Sequence, residues 1–378
     1  MAASLRRQRI ESKTRGNAPC QNDAGFFILF FCLIFVLYSL LSAVWAKNSA
    51  VAFEHSRHII EAVILFIMLF AGPLNFKSAT LCLTNGAVLP SFLGLWQFFT
   101  QSTFAYNWLG LAIHPAWEAG SSIVAGETIG RWIRAYGSFA HPNIFGGYLA
   151  ICLIFLISLS LKIHKINIFY WLKFIFLFSA LFFTFSRGAW LAFGIFLLAI
   201  SIYGIKNKDR KLLFVSSYFL LLIIILGSIN LPILETRLFS SSGNEIISTT
   251  ERKAGMKEAR QIIAEHPWLG VGAGNYTLAS YKLNPNLPGY KYQPVHNVFL
   301  LILAELGLIG AIILLLAFAA YINSLRAKIM PKFYFLFGLF GILMMFDHYL
   351  FSLYSGLILS AVYLGLISRP KHNDQRGV

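Results

Sequence analysis

Three stretches of the chain carry residue types suited to handling a phosphorylated substrate. The first is TFSRGAW at 184–190, which places Arg187 between two hydrophobic runs. A guanidinium there must pair, snorkel to an interface or bind a ligand, and an interfacial anchor accounts for it as well as a ligand does. The second centres on Arg252. Ser248 and Glu251 have capping-box spacing and Pro267 stops the pattern near His266, so a helix is predicted between them. On it, Arg252, Met256, Ala259 and Ile263 fall at offsets 0, 4, 7 and 11 and share one apolar face, while Lys253, Lys257 and Glu258 turn away. A charge on a buried face costs on the order of several kcal/mol unless paired. Arg252 is therefore the basic residue of its loop expected to hold an anionic partner, with a salt bridge to a nearby Glu as the plainer account. The third is His296, which opens HNVFLLILAELGLIG; a capping or packing histidine is its plainer account.

The chemistry these types could do together is specific. Arginine forks bind phosphate oxygens bidentately and keep their charge, so they can neutralise a departing diphosphate. Histidine titrates near neutrality and can take a proton from an attacking hydroxyl, an effect typically of about 10²–10⁴-fold. The set suits transfer of a glycan from a lipid diphosphate, provided that the three stretches reach one side of a common scaffold.

That scaffold is a membrane bundle. With 57% hydrophobic and 12% charged residues, the chain lies outside the range of soluble domains, which carry about 25% charged residues. Solid apolar runs of membrane-spanning length recur throughout, which excludes an outer-membrane barrel with its alternating segments. The fold class read from this is all-α: a polytopic membrane helical bundle of about ten transmembrane helices with a partly helical large periplasmic loop. The expected spans are 26–46, 58–75, 79–100, 143–161, 168–185, 188–204, 212–230, 296–320, 333–349 and 351–368. The domain plan is a cytosolic basic tail (1–25), a transmembrane domain (26–368) and a cytosolic tail (369–378).

Charge placement orients the bundle. With the N-terminus in the cytosol, the segments on that side hold 18 of the 31 basic residues in about 57 positions, and the opposite side holds 12 in about 121. The positive-inside rule thus puts both termini in the cytosol and the segments 101–142 and 231–295 outside. Arg187, Arg252 and His296 all fall on that outer side. Trp45, Trp96, Trp108, Trp117, Trp190 and Trp268 cluster there, as interfacial rings do. The aromatic- and glycine-rich loop 101–142 is expected to lie along the membrane surface. The net charge of +16 is this topology signal, and no nucleic-acid module accompanies it. Three of the four cysteines lie within apolar runs and none in the large loops, which disfavours a disulfide framework.

The ordered set GSFAHPNIFGGYLA, FSRGAWLAF, ERKAGMKEARQIIAEHPWLGVGAGNY and HNVFLLILAELGLIG resembles the O-antigen ligase and polymerase superfamily over roughly residues 137–320. The superfamily also includes protein O-oligosaccharyltransferases. The resemblance implies a bacterial inner-membrane glycosyltransferase, free of metal and cofactor, with its active site facing the periplasm. Its donor would be an undecaprenyl-diphosphate-linked glycan and its acceptor lipid A-core or another hydroxyl. It assigns diphosphate binding to Arg187 and Arg252, with Arg260 as the alternative loop arginine, and activation of the acceptor to His296. His141, Asn143 and Asn297 are secondary candidates. Met256 departs from the family pattern, where tryptophan is common.

The remaining motifs are read plainly. GVGAGNY follows no strand, so a dinucleotide fingerprint gives way to a turn near the site. Asp347 and His348 form a local ion pair. Glu305, nine residues after His296, is a buried acid on another face. The absence of an Asp-x-Asp pair in the outer loops argues against a metal-bound donor. Acceptors other than lipid A-core, namely a growing glycan chain or a protein hydroxyl, remain open. So does a transporter of the lipid-linked glycan, although its charges would be expected at mid-membrane rather than at one face.

Overall fold

The structure, a computed structural model, describes residues 19–73, 75–118, 120–126, 129–162, 167–239, 243–325 and 335–368, with the backbone alone given at 19–24, 243–248 and 335. Residues 1–18 of the expected basic tail, the tail 369–378 and the basic loop residues Lys165, Arg326, Lys328 and Lys332 lie outside the described residues.

The chain folds as an α-helical bundle. In order come α1 (Pro19–Leu41), α2 (Ser49–Ala71), α3 (Phe76–Gly86), α4 (Val88–Thr100), α5 (Pro142–Ser160), α6 (Ile168–Phe183), α7 (Arg187–Asn207) and α8 (Arg210–Ile229). The helices of the segment 231–295, α9 (Leu231–Phe239), α10 (Gly243–Glu265) and α11 (Tyr276–Leu283), follow, then α12 (Val298–Leu325), α13 (Phe335–Phe346), α14 (Tyr349–Ser352) and α15 (Tyr354–Ile367). Short polar side chains start these helices. Asn48, Asn75, Asn167, Ser186 and Asp209 each accept from a first-turn N–H, supplying partners that an apolar bundle cannot.

Each expected span overlaps helix among the described residues, with 79–100 divided between α3 and α4 and 351–368 between α14 and α15. Among the described residues, six stretches are long and apolar enough to cross a membrane: Gly25–Val44, Phe76–Thr100, Pro142–Ser160, Arg187–Asn207, Arg210–Ile229 and Val298–Leu325. Ile168–Phe183, Leu336–Phe346 and Tyr354–Ile367 are apolar but shorter. The chain is a multi-pass membrane protein. α5 is the centre of the bundle, almost wholly buried and apolar all round, as a helix enclosed by other helices must be.

Two expectations need correction. The fold is not helical alone, since β1 (Ile123–Gly126) pairs antiparallel with β2 (Gly130–Ile133), with Ile123 opposite Ile133. Nor does the loop 101–142 lie wholly along the surface. Trp108 and Trp117 are exposed, but Ile133 to Gly137 is buried inside the bundle. The buried backbone is satisfied there: Gln97 Oε1 accepts from the Tyr136 and Gly137 amides, and the Ala135 amide donates to Phe183 O. A loop can enter an apolar interior only on such terms.

The loop ahead of α11 is bound in the same manner. Within α12, Gly307 breaks the helix (φ 63°, ψ −171°), freeing carbonyls above it and amides below. Residues 267–272 fill the break. Val271 N donates to Ala304 O and Gly272 N to Glu305 O, while Leu308 N and Ile309 N donate to Pro267 O and Trp268 O. Gly270 and Gly307 both need positive φ, and a Cβ on Gly307 would stand 2.3 Å from Trp268 O. Gly307→Ala should therefore cost about 2 kcal/mol or more. The expected result is a lower thermal midpoint of the purified protein in detergent; an unchanged midpoint would contradict the inserted-loop account.

Candidate active site

The site grows from the turn between α6 and α7. Phe185 takes a left-handed conformation (φ 47°), which for a non-glycine residue costs on the order of 1–3 kcal/mol and persists only where its surroundings enforce it. Two buried arginines do so. Arg134 Nε donates to Thr184 O at 2.7 Å, and Arg237 Nε, from α9, donates to Phe185 O at 2.9 Å. The Phe185 ring is fully buried between Phe98 and Trp190. The next residue, Ser186, caps α7, and Arg187 emerges half-buried as the first residue of that helix.

From Arg134 a line of hydrogen bonds reaches His296. Arg134 Nη1 donates to Ser122 Oγ (2.6 Å) and Nη2 to Asn143 Oδ1 (2.7 Å). Asn143 Nδ2 then donates to Asp347 Oδ2 (3.1 Å). The other carboxylate oxygen, Oδ1, accepts from the His348 amide (2.8 Å) and faces His296 Nδ1 at 3.4 Å. Asp347 lies in the turn between α13 and α14, outside the apolar helices. Burial alone would raise its carboxyl, but the His296 contact and the surrounding imidazoles outweigh that and hold it well below the usual carboxylate range. An anion facing Nδ1 fixes the proton on that nitrogen and leaves His296 Nε2 as the basic atom, a tautomer assigned from its partner.

The other two histidines of the cluster stay neutral. His141 caps α5, its Nδ1 accepting from the Asn143 amide at 3.1 Å. Burial first, and then the positive charge of Arg134, push it down to about 3. His348, with Nδ1 2.6 Å from Ser352 Oγ, is pushed down to about 4 by burial. The His296 and His348 rings stand 5.1 Å apart.

His296, Asp347 and His348 offer donor atoms within 4.8 Å of one another, a set that could serve a transition-metal ion given further ligands. Both Asp347 oxygens are already engaged by Asn143, the His348 amide and His296, which suits the carboxylate to orienting the imidazole.

The expected site residues are therefore only partly assembled by these contacts. His296, Asn143 and His141 meet around Asp347. Asn297 borders them, its Oδ1 capping the Leu300 amide and its Nδ2 donating to Met345 O. Arg187 adjoins through the backbone, because a Cβ on Gly188 would stand 3.1 Å from Phe346 Cβ, one residue before Asp347. Arg252 is half-buried on α10, which packs against α12; of the predicted inward face Ala259 is buried and Met256 and Ile263 are half-buried, Ile262 is buried beside them, and Lys253 and Lys257 are exposed. Arg260 is exposed.

Several readings change. The helix bearing Arg252 begins at Gly243, so Ser248 and Glu251 lie inside it rather than at its cap. Glu258 is half-buried rather than turned away, accepting from Asn284 Nδ2. Arg237 is more buried than Arg252, so it is the more enclosed cation of that loop. Asp347 serves a residue 51 positions away as well as its neighbour His348. Arg134 and Arg237 were passed over entirely. The available signal was a charge beside apolar residues, in RWIRAY and LETRLF, the kind of pattern that drew attention to Arg187.

Replacing Arg134 by Met should leave Thr184 O and Asn143 Oδ1 without this donor and cost roughly 3 kcal/mol. The thermal midpoint should drop clearly, while Arg260→Met, at an exposed position, stays within about 0.5 kcal/mol of wild type. Equal midpoints for the two variants would remove Arg134 from the clamp.

No curated protein matches the chain as a relative. Residues 172–315 match the family described as O-antigen ligase. That stretch runs from α6 through the SRG turn, Arg237, Arg252 and His296 into α12, and over these residues the chain is similar to O-antigen ligases.

Proposed function

We propose that the chain is an inner-membrane glycosyltransferase that moves a glycan from an undecaprenyl-diphosphate carrier to the lipid A-core, without a metal ion, at the periplasmic face. The observation that carries this reading is the Asp347-oriented imidazole of His296 beside the turn that bears Arg187. In the proposed step, His296 Nε2 takes the proton of an acceptor hydroxyl as its oxygen bonds to the anomeric carbon. The bond from that carbon to the diphosphate oxygen breaks, and the electron pair leaves on the diphosphate. Arg187 and Arg252, assigned by resemblance, neutralise the charge that develops there. Ten spans with both termini cytosolic would put these groups on one outer face, as the charge distribution expects.

Arg187→Ala, Arg252→Ala and His296→Ala should each abolish transfer while the protein still inserts. Asp347→Asn should retain the ring but lose the anion that selects its tautomer, lowering turnover by about 10²-fold or more. Turnover of a purified lipid-linked donor onto acceptor checks all four, and a wild-type rate in any variant removes that residue from the mechanism.

The acceptor is identified by deleting the gene and separating lipopolysaccharide on gels. Loss of all capped lipopolysaccharide, with glycan retained on its carrier, is the expected result. A single-repeat cap would indicate a polymerase instead, and undecorated glycoprotein with normal lipopolysaccharide a protein transferase. Lipid-linked glycan held back on the cytosolic leaflet would indicate a transporter.

A further inference from the structure

Beside the cluster lies a cavity of about 530 Å³, within the range of small-molecule sites. Its walls come from the first turns of α2 (Asn48, Glu54, His55), from Thr277 on α11, from Glu305 in α12 and from Ser352 in α14. Its polar lining differs in kind from the arginine turn. Among the described residues no lysine or arginine lines it; Arg57 nearby is paired with Glu54 and Glu61, and the lining His58 also faces Glu54.

Two of its groups are buried and polar. Glu305 is 3% exposed and accepts from the Gly274 amide at 2.9 Å through Oε2 and from the Tyr276 amide. His55 is 7% exposed, and its Nε2 has no hydrogen-bond partner among the described residues. The unsatisfied His55 nitrogen calls for explanation by a ligand or water. Carboxylates accept from hydroxyl donors and repel phosphates, so this lining selects a hydroxyl-rich molecule.

The cavity wall also lies close to the proposed base. Pro294 in its wall precedes His296 by two residues, and Ser352 Oγ lies 2.6 Å from His348 Nδ1, whose ring neighbours His296. We infer that this cavity binds the acceptor's saccharide end, a run of unphosphorylated sugar hydroxyls. The word acceptor rests on the transferase reading above; the saccharide site itself does not need turnover to be tested.

The probe is lipopolysaccharide core oligosaccharide, freed of lipid A and of phosphate and labelled at its reducing end. Its equilibrium binding is measured on the full-length protein in lipid nanodiscs. Ala50→Trp fills the cavity from an exposed rim position, and Glu305→Gln removes the carboxylate's charge while keeping its shape. Each should weaken binding about tenfold or more, and the wild type should prefer the dephosphorylated probe to its phosphorylated form. If Glu305→Gln fails to fold, Ala50→Trp still decides. A wild type that does not bind the probe at millimolar concentration, a preference for the phosphorylated form, or unchanged affinity in Ala50→Trp would overturn the inference. Binding that the variants lose, in a protein that transfers no glycan, would retain the cavity and overturn the transferase reading. Transfer by a wild type whose oligosaccharide binding is insensitive to both variants would do the reverse.

Discussion

Two guanidinium groups hold two consecutive carbonyls, and the arrangement of the site follows from that. The C-terminus of α6 must present carbonyls without intrahelical partners, and an apolar bundle has no water to satisfy them. Arg134 and Arg237 answer this need at Thr184 and Phe185. Because the two arginines come from different outer segments, they also tie both large loops to the same turn. The left-handed Phe185 is the consequence: the chain reverses there within three residues, and Arg187 starts the next helix at the outer end of the bundle.

Arg134 has a second effect that is electrostatic. It fixes Asn143, which holds Asp347, and its charge helps keep His141 neutral. One arginine thus fixes the carboxylate that orients His296 and suppresses the competing imidazole beside it. The inserted glycine loop contributes from the other side. By pairing with the broken backbone of α12 it ties the first two turns after His296 to Asn275 and to Asn48 of the cavity wall.

The helices were legible because an apolar run of membrane length has few alternative structures. Arg187, Arg252 and His296 were conspicuous because each breaks a local pattern, as a charge or titratable ring at the end of an apolar helix or on the apolar face of a polar one. Asp347 was not. Its sequence neighbour His348 offered a sufficient partner, and nothing in a one-dimensional pattern records that His296 approaches from another helix. The loop 101–142 failed for a related reason. Aromatic and glycine content marks an interface, but the burial of Ile133 to Gly137 depends on Gln97, a polar residue inside α4 whose amide serves the incoming backbone. The glycines of GVGAGNY were recognised as turn-forming, yet their partner Gly307 lay within a run that reads as unbroken helix.

The placement of charge bears on the direction of the proposed reaction. Residues 346–352 run from the SRG turn, where Gly188 abuts Phe346, to the cavity, where Ser352 forms part of the wall. His296 lies against the middle of that run through Asp347. A displacement at an anomeric carbon brings the nucleophile in on the face opposite the leaving group. Cations are useful only on the leaving-group side, where negative charge grows, and carboxylates would oppose it there. Arg187 beside one end of the run and the cavity carboxylates at the other, with the imidazole between, suit that requirement. The same segregation disfavours a diphosphate entering by the cavity, so the two substrates would be sorted by charge before either reaches His296.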